Sequence, residues 1–173
     1  MVKKLSRYLD VSENFFAFIA ALLILFITIS IILEVVFRLF FNISFSWVHE
    51  LSEYTLLYLP FLTAAWLLRY NDHIVIDLIE PILSPRVKYV LDIIIILIGI
   101  FVSVILVWFG FITVADYFSS GLRSQTTLKI PKGYIAIIIP LGSVLLLFEF
   151  IRILYRKVFS AQNLAGNGEE GGI

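Results

Sequence analysis

The chain has 173 residues, of which 61% are hydrophobic and 15% are charged, and its mean hydropathy is +1.01. Soluble domains carry roughly 45–50% apolar and about 25% charged residues, and a soluble fold of this size could not bury so much apolar surface. Lysine plus arginine (13) balance aspartate plus glutamate (13), which gives no basic field for nucleic acid, and the absence of cysteine excludes disulfides and thiolate metal sites. The composition therefore predicts a single all-α membrane domain.

The N-terminus begins like a signal peptide, because Lys3, Lys4 and Arg7 precede an apolar run. That run, from Phe15 to Leu33, has 19 residues without an ionisable group, whereas a signal-peptide core has about 7–15 residues. No small-x-small cleavage pattern follows it. We interpret it as a retained anchor and predict the first span over residues 14–41.

Three more segments are long enough to cross a bilayer, which takes roughly 20 mainly apolar residues. We predict spans over residues 46–68, 91–115 and 133–155, the second with an amphipathic start. Pro60 and Pro140 fall inside the second and fourth spans, where each removes a backbone donor and is expected to kink the helix. Residues 160–173 are rich in Gly, Asn and Glu and are predicted to form a disordered tail, so the membrane domain covers residues 1–159.

The distribution of basic residues predicts the topology, since cytoplasmic loops are enriched in Lys and Arg. With four spans and a cytoplasmic N-terminus, the outer loops hold three basic residues: Arg123, Lys129 and Lys132. The inner side then holds nine: Lys3, Lys4, Arg7, Arg69, Arg86, Lys88, Arg152, Arg156 and Lys157. If the second segment did not cross, the count would be six against six. The bias therefore favours four spans with both termini in the cytoplasm.

Ionisable residues inside spans are candidates for function, because a charge in lipid is costly. Glu34 and Arg38 are four residues apart and share one helix face, where a carboxylate N-terminal to a cation pairs well. The pair could be a proton or carboxylate site. The interpretation we favour is a self-neutralised pair that locks the first helix against another helix or a partner subunit.

A second polar group opens the second span, where Glu50 and Glu53 share a face beside Trp47 and His49. Two carboxylates alone do not make a cation site, which needs several converging oxygens. We expect this polar start to contact a partner or the Arg38 guanidinium.

The remaining ionisable residues form simple pairs. His73 and Asp77 lie four apart in the second connection and lack the further ligands that a metal site requires. Glu149 and Arg152 are expected to pair near the end of the last span. Since no nucleophile–base pair, phosphate-binding loop or metal quartet is found in the sequence, we predict no enzymatic activity, no metal site and no cofactor in this chain.

Several motifs occur in an order that resembles a known family. WVHELSE over residues 47–53 opens the second span, and Arg69 and HIVID over residues 73–77 follow it. GLRSQTTLKIP over residues 121–131 comes after the third span, and Pro140 lies in the fourth. From Val11 to Phe159 the chain is similar to the DctQ-type small subunit of tripartite ATP-independent periplasmic (TRAP) transporters. His49 is a departure, because an acidic residue is expected beside Glu50.

The resemblance implies a division of labour among three proteins. A periplasmic binding protein captures an organic acid, such as a sialic acid or a C4-dicarboxylate, and delivers it to a large and a small subunit in the bacterial inner membrane. The large DctM-type subunit holds the substrate and Na+ sites, and the small one, embedded in membrane lipids, scaffolds it.

On this basis the present chain binds no substrate, and two sets of residues become candidates for contacts. The subunit-interface or structural candidates are Glu34, Arg38, Trp47, Glu50, Glu53, Arg69, His73 and Asp77. The candidates for docking the binding protein are Arg123, Ser124 and Lys129.

Two other classes of membrane protein were weighed. A four-helix proton-coupled exporter acting as a homodimer would use Glu34 as its proton site, but it would need an unpaired glutamate mid-span and short connections. A membrane anchor of a redox enzyme would need histidines within its helices, and His49 and His73 lie outside the mid-spans.

Overall fold

The computed structural model describes the backbone of residues 2–70 and 84–169, and the side chains of residues 6–70, 84 and 87–158. The described backbone is helical, and its only β-type pairing is an isolated bridge between Arg123 and Pro131. The helices, in chain order, are α1 Val2–Phe41, α2 Ser46–Tyr70, α3 Pro85–Ser120, α4 Lys132–Ala136 and α5 Ile138–Glu169. The prediction of an all-α fold is confirmed.

Four helical segments are long and apolar enough to cross a membrane: Ser6–Phe41, Ser46–Tyr70, Val87–Ser120 and Lys132–Val158. The prediction of four spans is therefore confirmed. The second has the lowest mean hydropathy, 1.2, because its first two turns are polar, yet it is one unbroken helix of 25 residues.

The helix ends follow local chemistry, and they lie further out than the sequence predicted. No Gly or Pro interrupts residues 2–13, so α1 begins at Val2 rather than at residue 14. Pro85 occupies the first turn of α3, where its missing N–H costs nothing, and Gly121 ends this helix with the left-handed φ of 61° that glycine tolerates. At about 1.5 Å per residue, α3 is about 54 Å long, against a hydrocarbon core of about 30 Å. The longer helices must therefore tilt or extend beyond the core.

The two prolines differ in their effects. Pro60 lies inside α2 without ending it. Pro140 has no N–H for the carbonyl of Ala136, four residues earlier, and the fourth span is divided into α4 and α5 at Ile137. The ring of Pro140 is buried and lies against Gly110 of α3, where an added Cβ would be 3.1 Å from the proline Cδ.

The tail prediction also differs from the structure in part. α5 continues to Glu169, so residues 160–169 have helical backbone where composition predicted disorder. No proline follows Pro140 to interrupt this helix, and Ala161, Gln162 and Leu164 are adequate helix formers.

The spans pack side by side in the order α1, α2, α5, α3, with α4 against α3. α2 and α5 approach each other closely at Gly142, where an added Cβ would be 2.4 Å from the backbone oxygen of Phe61. Ala20, Leu62 and Ile138 form the small buried core between α1, α2 and α5. The outer helices α1 and α3 are covered on one side only, since just 11% of the residues in the most apolar window of each are buried, against 33% in the fourth span.

The row has two polar ends. We call the end where α1 and α3 begin and α2 and α5 finish the termini end. The opposite end, where residues 121–131 connect α3 to α4, is the loop end.

Candidate functional sites

A cluster of charges joins three helices at the termini end. The charge cluster consists of Asp10 and Glu13 on α1, Arg69 on α2, and Glu149 and Arg152 on α5. Nη1 of Arg69 lies 3.1 Å from Oδ1 of Asp10 and 3.0 Å from Oε2 of Glu13. Nη1 of Arg152 lies 2.7 Å from the same Asp10 oxygen and 3.2 Å from Oε2 of Glu149. Asp10 therefore bridges two arginines that come from different helices.

The two glutamates of the charge cluster are fully buried. The side chains of Glu13 and Glu149 are 0% exposed, and Arg69 is 12% exposed. A buried carboxylate without a counter-charge is strongly destabilising, so Glu13 and Glu149 require these arginines. Arg156 adds a more distant guanidinium, 3.8 Å from Oε1 of Glu149. The arrangement fixes the ends of α1, α2 and α5 relative to one another.

A second ion pair extends this connection to the remaining span. Nζ of Lys157 on α5 contacts Oδ2 of Asp92 on α3. With the charge cluster, this pair links all four spans at the termini end.

Three of the five residues of the charge cluster were singled out from the sequence. The expected pair of Glu149 and Arg152 is confirmed, and Arg69 was a candidate, although it binds within the chain. Asp10 and Glu13 were missed. Their signal was a spacing of three residues directly before the apolar run that starts at Phe15, on the same side of the membrane as Arg69.

The connection between α3 and α4 folds back on itself at the loop end. We call residues 121–131 the anchored loop. The N–H of Ser124 donates to the carbonyl of Ile130 at 2.9 Å, and the N–H of Lys132 donates to the carbonyl of Leu122 at 2.9 Å. Lys129 holds a left-handed φ of 48° at the turn. The two arms of the loop are thus paired by backbone hydrogen bonds.

Two side chains in the first turns of α2, Glu50 and Tyr54, bind this loop. The carboxylate of Glu50 accepts hydrogen bonds from the N–H groups of Thr127 at 2.5 Å and Leu128 at 3.0 Å. The hydroxyl of Tyr54, one turn further on, donates to Oγ of Ser124 at 3.3 Å. Glu50 is buried and its carboxylate binds the loop, where a contact with a partner or with Arg38 was expected. The two most distinctive sequence motifs, residues 47–53 and 121–131, therefore meet.

The Glu34–Arg38 pair is present near the end of α1. Nη1 of Arg38 lies 3.8 Å from Oε1 of Glu34, and the Oγ of Ser44 donates to the same carboxylate oxygen at 3.3 Å. Glu34 is 3% exposed and Arg38 is 52% exposed. The carboxylate is thus held inside the chain, which disfavours a free proton site, and the guanidinium faces outward.

The other candidates are spread over the loop end. Trp47, His49 and Glu53 are exposed, as are Arg123 and Lys129, while Ser124 is half-buried by its bonds to the loop and to Tyr54. His73 and Asp77 lie outside the described residues. In the part of the chain that the structure describes, no group of three potential metal ligands comes together.

Small open clefts separate the helices near the loop end. One of about 310 Å³ lies between α2, α3, α4, the start of α5 and Ser124 of the anchored loop, and Lys132 is the charged residue on its wall. Another, of about 210 Å³, is lined by apolar side chains with Tyr54, Tyr58 and Tyr134. A single lysine is a weak match for an organic dianion, which usually meets several converging donors.

Comparison with protein families decides which class of membrane protein this is. The family model for the DctQ component of tripartite ATP-independent periplasmic transporters matches residues 27–160. This range is more than half of the chain. The chain belongs to the DctQ family. Among curated proteins, no match was found.

DctQ membership fixes several general properties. The chain is the small permease subunit of a TRAP transporter and a multi-pass membrane protein, not an enzyme. It works with a large membrane subunit and a periplasmic binding protein, as the components of such transporters do. The matched range includes Glu50 and the anchored loop, and it begins after Asp10 and Glu13.

Proposed function

We propose that this DctQ subunit is a rigid membrane scaffold that transports nothing by itself. In this proposal the organic acid and Na+ pass through the large subunit. One observation carries it: the buried charged groups of the described spans lie towards the helix ends and are paired within the chain. The 19 residues from Phe15 to Leu33, and the residues from Ile93 to Ala115, contain no ionisable side chain that could carry an ion across.

The outer faces of α1 and α3 supply the surface for the large subunit and for lipid. These two helices expose most of their apolar side chains and have one main neighbour each, whereas α2 and α5 each pack against a helix on both sides. Arg38, Trp47 and Glu53 are exposed near the loop end and remain candidates for the subunit interface. Arg69 and Glu50 act inside the chain instead.

The charge distribution supports the proposed orientation, and membership of the DctQ family supports the proposed location. Nine basic residues at the termini end against three at the loop end support cytoplasmic termini and an anchored loop on the periplasmic side of the bacterial inner membrane. The exposed Arg123 and Lys129 and the bonded Ser124 then form a surface for the binding protein. The substrate class, a sialic acid or a C4-dicarboxylate, and the coupling to Na+ rest on the DctQ resemblance.

Reconstitution of the purified components in liposomes tests this function. Uptake of radiolabelled sialic acid or of a C4-dicarboxylate should require the small subunit, the large subunit, the binding protein and an inward Na+ gradient together. Liposomes that contain the small subunit alone should take up neither acid. Uptake by the small subunit alone, or uptake that is unchanged without Na+, would contradict the proposal.

A further inference from the structure

We propose that Glu50 is a positioning residue that fixes the anchored loop as a basic docking surface for an acidic patch on a soluble protein. The inference rests on the proposed function, because that soluble protein is the binding protein of the transporter. Glu50 itself is buried and does not touch the partner. It acts through the backbone of the loop.

Glu50 binds the tip of the loop, which lies between its two hydrogen-bonded arms. Its two oxygens accept from two successive N–H groups, those of Thr127 and Leu128, about 77 residues away in the sequence. Hydrogen bonds from N–H groups to an ionised carboxylate are stronger than those between neutral groups. Tyr54 adds a bond to Ser124 on the other arm. Together they hold both arms of the loop on α2.

The outer surface of the loop has one sign of charge. The sequence from Gly121 to Pro131 contains Arg123 and Lys129 and no acidic residue. Both basic side chains are exposed, and so are Leu122 and Leu128. The carboxylate that binds the backbone N–H groups of Thr127 and Leu128 belongs to Glu50. Because Glu50 is buried, its negative charge does not lie on the outer surface of the loop. A partner would therefore meet two cations beside two leucines, and this combination fits an acidic surface with apolar patches.

Order in the loop matters for affinity because a flexible loop must lose conformational freedom when it binds. The backbone bonds to Glu50 remove that freedom before the partner arrives. A substitution at Glu50 should therefore weaken docking while leaving the charges that attract the partner in place.

Hydrogen–deuterium exchange on the complex of small and large subunits measures the first step. In Glu50→Gln, one acceptor oxygen remains and an amide N–H₂ replaces the other, so the amides of Thr127 and Leu128 should exchange about ten-fold faster or more. Tyr54→Phe, which keeps every charge, should speed exchange around Ser124. Glu53→Gln is the matched control for this step, because it removes the same charge from an exposed position one turn away and should leave the exchange unchanged.

Binding of the soluble binding protein to the same immobilised complexes, at several salt concentrations, measures the second step. Glu50→Gln should bind about ten-fold more weakly and keep the salt dependence of the wild type. The double variant Arg123→Gln/Lys129→Gln should lose both affinity and salt dependence, with wild-type exchange in the loop. A general folding defect would reduce recovery of the complex itself, which neither variant should do.

The other outcomes overturn the inference in distinct ways. Wild-type exchange in Glu50→Gln would show that the carboxylate does not hold the loop. Faster exchange with wild-type binding would show that loop order is irrelevant to docking. Wild-type binding by the double variant would show that the surface lies elsewhere. If the wild-type chain forms no complex with a large subunit, the proposed function fails first, before Glu50 is tested.

Discussion

Four glutamates are buried in the described part of the chain, at positions 13, 34, 50 and 149. Each has an internal partner: Arg69 for Glu13, Ser44 with Arg38 for Glu34, two loop amides for Glu50, and Arg152 for Glu149. Glu34 and Glu50 accept hydrogen bonds within the chain, and Glu13 and Glu149 lie within ion-pair distance of arginines on neighbouring turns or helices. Carboxylates that are paired in this way hold helices together. The polar residues of this membrane protein are therefore best understood as connections between helices.

Arg69→Gln tests the charge cluster. The substitution leaves the buried Glu13 without its nearest guanidinium, and breaking a buried pair from one side costs about 3–5 kcal/mol. We expect a correspondingly large drop in the free energy of unfolding, measured by denaturant titration in mixed micelles. Arg38→Gln removes a half-exposed guanidinium that lies 3.8 Å from Glu34, and Glu34 keeps its hydrogen bond from Ser44, so this variant should lose less stability than Arg69→Gln. Equal losses in the two variants would show that the charge cluster contributes nothing special.

Glu34→Gln tests whether the pair on α1 is structural. The amide oxygen can still accept the hydrogen bond from Ser44, whereas the attraction to Arg38 is lost. We expect weaker assembly with the large subunit and an unchanged ratio of Na+ to substrate in the complexes that form, measured by dual-label uptake. Normal assembly with a lost ion coupling would instead favour a carrier mechanism through Glu34.

At the scale of the helices, close packing between α2 and α5 sets the middle of the row. Gly142 meets the backbone of Phe61, which cannot move aside as a side chain can. The three atoms nearest to a Cβ added at Gly99 of α3 belong to the ring of Phe150, at the end of a rotatable side chain. Gly142 therefore allows contact between two helix backbones, whereas Gly99 makes room for a side chain.

Gly142→Ala should consequently force α2 and α5 apart. We expect a loss of about 1–3 kcal/mol in the free energy of unfolding, the usual range for overpacking, and a smaller loss for Gly99→Ala. Thermal unfolding of both variants in the same detergent gives the comparison. A Gly99→Ala variant that is the less stable of the two would contradict the packing described here.

The helices were largely predictable from sequence, and their contacts were not. Long apolar runs predicted the first and third spans directly, because lipid demands such runs, and the distribution of basic residues decided that the second segment crosses. The helices extend beyond the predicted spans, since lipid sets no limit on a helix that continues into water, as at Val2 and Glu169. The partner of Glu50 could not be predicted, because a carboxylate binding backbone N–H groups about 77 residues away leaves no charge pattern in the sequence.

At the scale of the whole molecule, the absence of cysteine makes the topology easy to test. A single cysteine at the exposed Gln125 should react with a membrane-impermeant maleimide in intact spheroplasts, because the anchored loop is expected in the periplasm. One at Ser6 should react only after the membrane is opened. The reverse pattern would invert the orientation and remove the docking surface from the periplasm.

Ion pairs join the helices at the termini end, and Glu50 holds the anchored loop at the loop end. The outer helices α1 and α3 are covered by other helices on one side only. Such a molecule is suited to hold a larger neighbour in the membrane. Native mass spectrometry of the tagged chain, purified from its own membrane, tests this claim most directly. We expect a one-to-one complex with a larger multi-span subunit. A homodimer of this chain, with no larger subunit bound, would contradict it.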